Sequence, residues 1–315
     1  MNYNKILFFS IFLSFLSCEN WMYYSNNPWQ LNMSSRSSSI GGICLENYNY
    51  SNKTSNLNRI SMFNSTMFKG LVDYSNIFFA YKINKINILG NSINAIKIGL
   101  LNRRITDIPN TESAWNQALF SEPILSDIDY DLIEYYDHKD FSLLVYIPFS
   151  NQYGNFGINL GPSHSKINQY KANSFSLDIS YSSLNMEVFY FGLLLKNLFS
   201  YKKWNTGYVE KFYPSLSALL NYNYSKKVSM FIELKDLYFD SDYLNDNFNF
   251  KESVSLGCEY SIYEQFDLRV GFNHDFYTFG IGTKIYNTLF DYTYLDHIDL
   301  DSSHQFTISF LIQNK

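Results

Sequence analysis

The chain is poor in residues that interrupt regular structure. Its 315 residues include 6 Pro and 14 Gly, too few for a collagen-like or low-complexity polymer. Charge is sparse at 17%, and 24 Lys+Arg against 29 Asp+Glu leave a net -5. That balance lacks the basic excess that draws nucleic acid. Three cysteines make no disulfide framework. Beyond residue 18 no run of 18 apolar residues occurs, so a membrane-spanning helix is not expected. The five histidines (His138, His164, His274, His297, His304) are scattered, none with a second ligand at metal spacing. Neither a serine-hydrolase elbow, a His-Glu-x-x-His pair, a phosphate-cradling loop nor a dinucleotide fingerprint is present. The expectation is a non-enzyme without catalytic residue, metal or cofactor.

Aromatics, in contrast, reach 19%, with 28 Tyr and 28 Phe. Strands take aromatic side chains readily, and Tyr and Trp collect where a membrane meets water. From Glu252 to Ile312 the chain alternates strictly. Val254, Leu256, Cys258 and Tyr260 interleave with Ser255, Gly257 and Glu259, and Phe306, Ile308, Phe310 and Ile312 with Thr307 and Ser309. Period two places one set on each face of a sheet. One face is bulky and apolar, the other small, polar or charged. That is the pattern of a transmembrane barrel with an apolar outside and a wet inside.

Residues 1–18 have the form of a signal peptide: Lys5, an apolar run Ile6 to Leu16, then small residues up to Cys18. Phe15-Leu16-Ser17-Cys18 also resembles a lipobox, which makes Cys18 a possible lipidation site. Residues 19–56 lack strand alternation and are expected to tuck into the barrel as a plug. Residues 57–315 are expected to form one all-β antiparallel barrel. Its strands are placed at 57–66, 75–85, 92–102, 140–150, 154–163, 173–183, 186–197, 214–225, 228–238, 252–262, 265–274, 276–285, 287–295 and 303–313. Fourteen is an even number, as bacterial single-chain barrels require.

Two long connections are left over, 103–139 and 198–213. The first carries Trp115, Pro123 and an acidic run (Asp127, Asp129, Asp131, Glu134, Asp137, Asp140) without calcium-loop spacing, and it suits a solvated surface better than a divalent cation. Trp204, Tyr277 and Tyr294 fit interface girdles. Cys44 and Cys258 could pair in an oxidising periplasm, although their separation gives no warrant for it. Parity puts Lys97, Asp178, Glu233, Lys235, Glu259, Asp267, Arg269, Lys284 and Asp291 on the lumen face, where they either tie strands together or line a path. Glu259 and Arg269 are suited to pair across neighbouring strands. Gly280 and Gly282 are positions where a strand could kink and open a lateral gap.

Several stretches resemble one family in its own order. Ser35-Arg36-Ser37-Ser38-Ser39-Ile40-Gly41-Gly42 resembles the A-R-x-x-x-M-G-G signature of PorV/PorQ-like outer-membrane proteins, relatives of the FadL-type barrel. Phe175-Ser176-Leu177-Asp178 looks like that family's F-x-L-D strand. Gly192 through Leu198 looks like its G-L-x-L-x-N-L strand, followed by Glu210 and Pro214. The final hairpins, from Arg269-Val270-Gly271-Phe272 to His304–Phe310, run parallel to its ending. The resemblance implies a monomeric fourteen-stranded barrel in the Gram-negative outer membrane, with Arg36, Gly41 and Gly42 as a plug signature. It further implies a part in type IX-like secretion or surface attachment, with secretion-machinery or cargo proteins as partners. The alternative is a FadL-like transporter of a hydrophobic ligand. A secreted soluble β-sandwich, its apolar faces meeting each other, is a third reading.

Overall fold

The computed structural model describes residues 21–22, 33–48, 58–88, 91–114, 129–184, 188–238 and 253–312. The expected export signal (residues 1–18), Cys18, Trp115, Pro123 and Asp127 lie outside the described residues.

Fourteen antiparallel strands close into one barrel. They are β1 (Asn58–Met67), β2 (Val72–Ile88), β3 (Asn91–Asn110) and β4 (Glu134–Asn151). β5 comes in two pieces, Gly154–Leu160 and Ser163–Ile167, followed by β6 (Tyr170–Ser182) and β7 (Phe189–Trp204). β8 is also split, into Val209–Phe212 and Ser215–Asn223, before β9 (Val228–Tyr238) and β10 (Val254–Tyr263). β11 (Phe266–Phe272), β12 (Phe276–Ile285), β13 (Thr288–His297) and β14 (Ser303–Ile312) complete the wall, and β14 pairs with β1 to close it. Each segment expected from alternation corresponds to one of these strands.

The splits fall at prolines, which cannot donate to a ladder. At Gly161-Pro162 the wall stays paired because Gly161 N donates to Ser176 O (2.9 Å) and Leu143 N to Pro162 O (3.0 Å). At Tyr213-Pro214, Tyr213 N donates to Met22 O, and the short strand Trp21–Met22 runs parallel to Lys211–Phe212.

Two expected loops need correction. Residues 198–213 are not a long connection: β7 runs to Trp204, and β8 resumes at Val209 after a four-residue turn. Likewise β3 continues to Asn110 and β4 begins at Glu134, so the 103–139 connection shrinks to 111–133. Alternation breaks at both places because a left-handed residue inserts a bulge, Asn197 at φ 54° and Asp107 at φ 56°. The bulge at Asp107 adds one residue and reverses the parity after it, whereas the one at Asn197 adds two and restores it.

Trp204 is inward on the same parity as Tyr190, Gly192 and Leu194. It lies on the inner side with Lys202, whose Nζ sits 4.8 Å from its ring centre, and its indole N–H donates to Glu210 Oε1 (2.5 Å). It is not a girdle residue, whereas Tyr277 and Tyr294 do face outward. Leu256, Val270, Phe279 and Ile308 are 42%, 46%, 52% and 38% exposed on the outer face. One closed sheet with its bulky residues outside leaves no second sheet for them to meet, which removes the β-sandwich reading.

Pairing on both flanks of Gly280 and Gly282 is continuous, so neither opens a lateral gap. Cys44 lies inside the barrel and Cys258 in its wall, facing out with Leu256, and no disulfide joins them. Connections at one end include 111–133 and 239–253; those at the other end run from two to six residues. Outer-membrane barrels place long connections outside the cell.

Candidate functional site: the lumen and its inner segment

Residues 33–48 lie inside the barrel. They begin with a single turn of helix, α1 (Ser35–Ser39), that the sequence alone would not favour, since serine competes with the backbone for hydrogen bonds. Here each serine side chain is used. Ser34 caps the turn by accepting from Ser37 N, Ser38 Oγ donates to Ser34 O, and Ser39 Oγ to Arg36 O. Ser34 and Ser37 hydroxyls donate to the two Glu46 carboxylate oxygens at 2.8 and 2.6 Å. Burial pushes the Glu46 carboxyl up, but these hydroxyls hold it below the usual carboxylate range.

Three threonines on adjacent strands clasp the segment's backbone. Thr307 on β14 accepts from Ser35 N (2.8 Å), and Thr293 on β13 donates to Ser35 O (2.6 Å). Thr278 on β12 donates to Ser39 O (3.0 Å) and accepts from Gly41 N (3.2 Å). The backbone comes this close because the wall is glycine where it touches. A Cβ on Gly271 would sit 1.8 Å from Gly41 N, one on Gly257 2.6 Å from Ile40 O, and one on Gly280 2.3 Å from Ser39 Cβ. Gly41 is left-handed (φ 78°) and pressed against Leu256 O, so a side chain there is excluded twice. The glycines thus serve close approach, not kinking.

Eight of the nine expected lumen charges are gathered here. Arg36 grips Glu259 with two bonds, 2.8 and 2.9 Å, and Arg269 also donates to Glu259 (2.7 Å). Arg269 reaches Asp291 (2.6 Å) and Asp267 (3.2 Å) besides. Lys235 donates to Gly42 O (2.9 Å) and faces Glu233, which accepts from Tyr48 Oη at 2.5 Å. Asp178 accepts from Asn197 N, and Lys97 stands over the Tyr146 ring at 4.7 Å. Lys284 alone is apart from them, exposed near the end of β12.

The sequence did not disclose the threonine clasp, Glu46, or the pair of Lys196 with Asp236 (2.9 Å). Nor did it place Asp140, which belongs to the buried lumen side rather than to an acidic surface. Arg103 donates to it from the opposite strand (2.7 Å), with Ser165 (2.5 Å) and His138 (3.1 Å) on its other oxygen. Asp137 does stay at the surface, beside Arg104 and Lys139. No metal-holding group of His, Cys, Asp or Glu occurs among the described residues.

Two apolar patches interrupt the polar lumen. Tyr190, Leu194, Leu219 and Phe231 receive Ile40, Ile43, Leu45 and Tyr48 of the inner segment. Phe63, Tyr74, Leu101 and Leu144 receive Met33 and Cys44. The inner segment's apolar side chains are the occupants of both.

No known protein family and no curated protein matches the sequence. Among solved structures, the Pseudomonas putida toluene transporter TodX aligns with 89% of this chain and 97% of its own, at 9% identity and a TM-score of 0.52. A TodX mutant described as a monoaromatic hydrocarbon channel aligns over 89% and 98%, at 10% identity and 0.51. A Pseudomonas aeruginosa FadL homologue aligns over 92% and 98%, at 8% identity and 0.47.

Proposed function

We propose that this protein is a monomeric barrel of the bacterial outer membrane that carries small apolar or amphipathic molecules through its lumen, with residues 33–48 as a displaceable plug. One observation carries the reading. A water-filled pore has no use for apolar lumen patches, yet here two exist, and one is filled by Ile40, Ile43, Leu45 and Tyr48, none more than 2% exposed. Burying such side chains stabilises by roughly 1.5–3 kcal/mol each, so a wall that rewards them rewards apolar cargo equally. The shared barrel fold with a toluene transporter supports the same direction. Part of the lumen charge network fixes the wall and plug in register, as Glu259 does between Arg36 and Arg269.

The secretion or surface-attachment reading depends on recognition loops held above a rigid barrel. One of its two loops is a paired hairpin, which leaves it the weaker. The experiment is uptake of N-phenylnaphthylamine, which fluoresces on reaching membrane lipid, by cells that express the chain in a lipopolysaccharide-covered outer membrane. Faster uptake than in cells lacking the chain, and faster still with residues 33–48 deleted, is the expected result. Equal rates in all three strains overturn the carrier reading.

A further inference from the structure

We propose that the lumen half nearest the long connections holds a recognition site for the hydroxyl group of a small neutral amphiphile, a phenol or an alcohol. The proposal rests on the carrier reading and names its cargo class. Ser65 on β1 stands directly opposite Tyr74 on β2 and, on its other side, Gln305 on β14. Asn76 is the next inward residue after Tyr74. Neighbours across a ladder have Cβ atoms about 5 Å apart, so the four side chains form a patch about 10 Å wide.

All four are buried: Ser65 is 1% exposed, Tyr74 2%, Asn76 3% and Gln305 2%. Yet Ser65 Oγ, Asn76 Oδ1 and Gln305 Oε1 make no hydrogen bond, and the Tyr74 hydroxyl has only the Asn76 side chain beside it. A buried polar atom left unpaired suffers the full loss of its hydration, and folded proteins tolerate few. Three of them, one on each of three adjacent strands, point to a partner that supplies a hydroxyl.

The chemistry of that partner follows from the atoms. Asn76 Nδ2 donates to Met33 O (3.2 Å), which fixes the amide and leaves Oδ1 able only to accept. Gln305 offers another amide oxygen, and the two hydroxyls can donate or accept. A hydrocarbon satisfies none of these. A carboxylate would set its lone pairs against the Asn76 oxygen. A hydroxyl donates to Asn76 or Gln305 while it accepts from Ser65 or Tyr74. The body attached to it is apolar, because Phe63, Leu101 and Leu144 line the same face. The Phe63 and Tyr74 rings meet edge-on there, 5.5 Å between centroids.

The test is calorimetric titration of the purified, folded barrel with benzyl alcohol, toluene and benzoate, which share a ring and differ in the group it bears. Benzyl alcohol is expected to bind about tenfold tighter than either, the worth of one well-made buried hydrogen bond. Gln305→Leu, with Ser65→Ala as a second variant, is expected to bring benzyl alcohol to the level of toluene and leave toluene itself unchanged, since neither residue bonds the inner segment. Heat-resistant migration on gels shows that each variant keeps its barrel. Equal binding of the three probes, or a preference that survives both variants, overturns the hydroxyl site. A barrel that admits N-phenylnaphthylamine yet treats the probes alike loses this site and keeps its carrier role.

Discussion

Gly271→Ala should expel the inner segment while leaving the barrel closed. The added methyl carbon would stand 1.8 Å from Gly41 N, where a nonbonded contact needs about 3.5 Å. Neither party can yield locally: Gly41 N belongs to a buried backbone turn, and Gly271 is paired on both sides, to Gly257 and Thr278. Moving the segment by about 1.7 Å breaks the two Thr278 bonds to Ser39 O and Gly41 N. At about 1 kcal/mol each, their loss shifts the docked fraction by roughly 30-fold. Trypsin reports it, because Arg36 lies within the docked turn, its side chain 18% exposed and bound to Glu259. The variant should be cut after Arg36 about 30 times faster than the wild type, with heat-resistant migration unchanged. Cleavage at the wild-type rate in an intact barrel would refute the idea that glycine on the wall is what lets the segment dock.

Two further predictions concern the wall. Glu259→Gln removes the carboxylate shared by Arg36 and Arg269, both little exposed, and should lower unfolding stability by about 3 kcal/mol; an unchanged urea midpoint would show that Asp267 and Asp291 suffice. Val270→Arg puts a charge on the outer face of β11 and should cost about 2–4 kcal/mol where that face crosses mid-bilayer. Refolding yield into lipid vesicles measures it, and an undiminished yield would mean that this face does not meet lipid.

Strand number and face were legible because period two survives wherever a strand is regular. From β10 to β14 alternation alone assigns inside and outside, and Glu259 and Arg269 pair directly across the ladder as that parity demands. Legibility failed at bulges. Asp107, Asn197 and Asp236 take left-handed conformations within strands, and Asn and Asp do so more readily than other side-chain-bearing residues. In the sequence a bulge looks like a strand end, so alternation alone ends β3 and β7 too early and leaves Trp204 outside any strand. The lumen site failed for another reason. Thr278 and Ser39 are 239 residues apart, and Arg36 and Glu259 223 apart. No local pattern marks which threonine will clasp a backbone, or which glycine on a wall answers a left-handed glycine in a segment.

The way the segment is held bears on how it would leave. Its docking bonds go largely to backbone, from the hydroxyls of Thr278, Thr293 and Thr307 and from Lys235 Nζ. On release, those hydroxyls and the freed backbone pair with water, so each bond lost costs only about 1 kcal/mol. The apolar contacts are different in kind. Tyr190, Leu194, Leu219 and Phe231 lose Ile40, Ile43, Leu45 and Tyr48 and gain nothing from water. The barrier to an open lumen therefore lies mainly in the apolar patch, and an apolar molecule that fills the patch removes it. In a carrier built this way, cargo and plug compete for the same wall, and opening is driven by the cargo that passes.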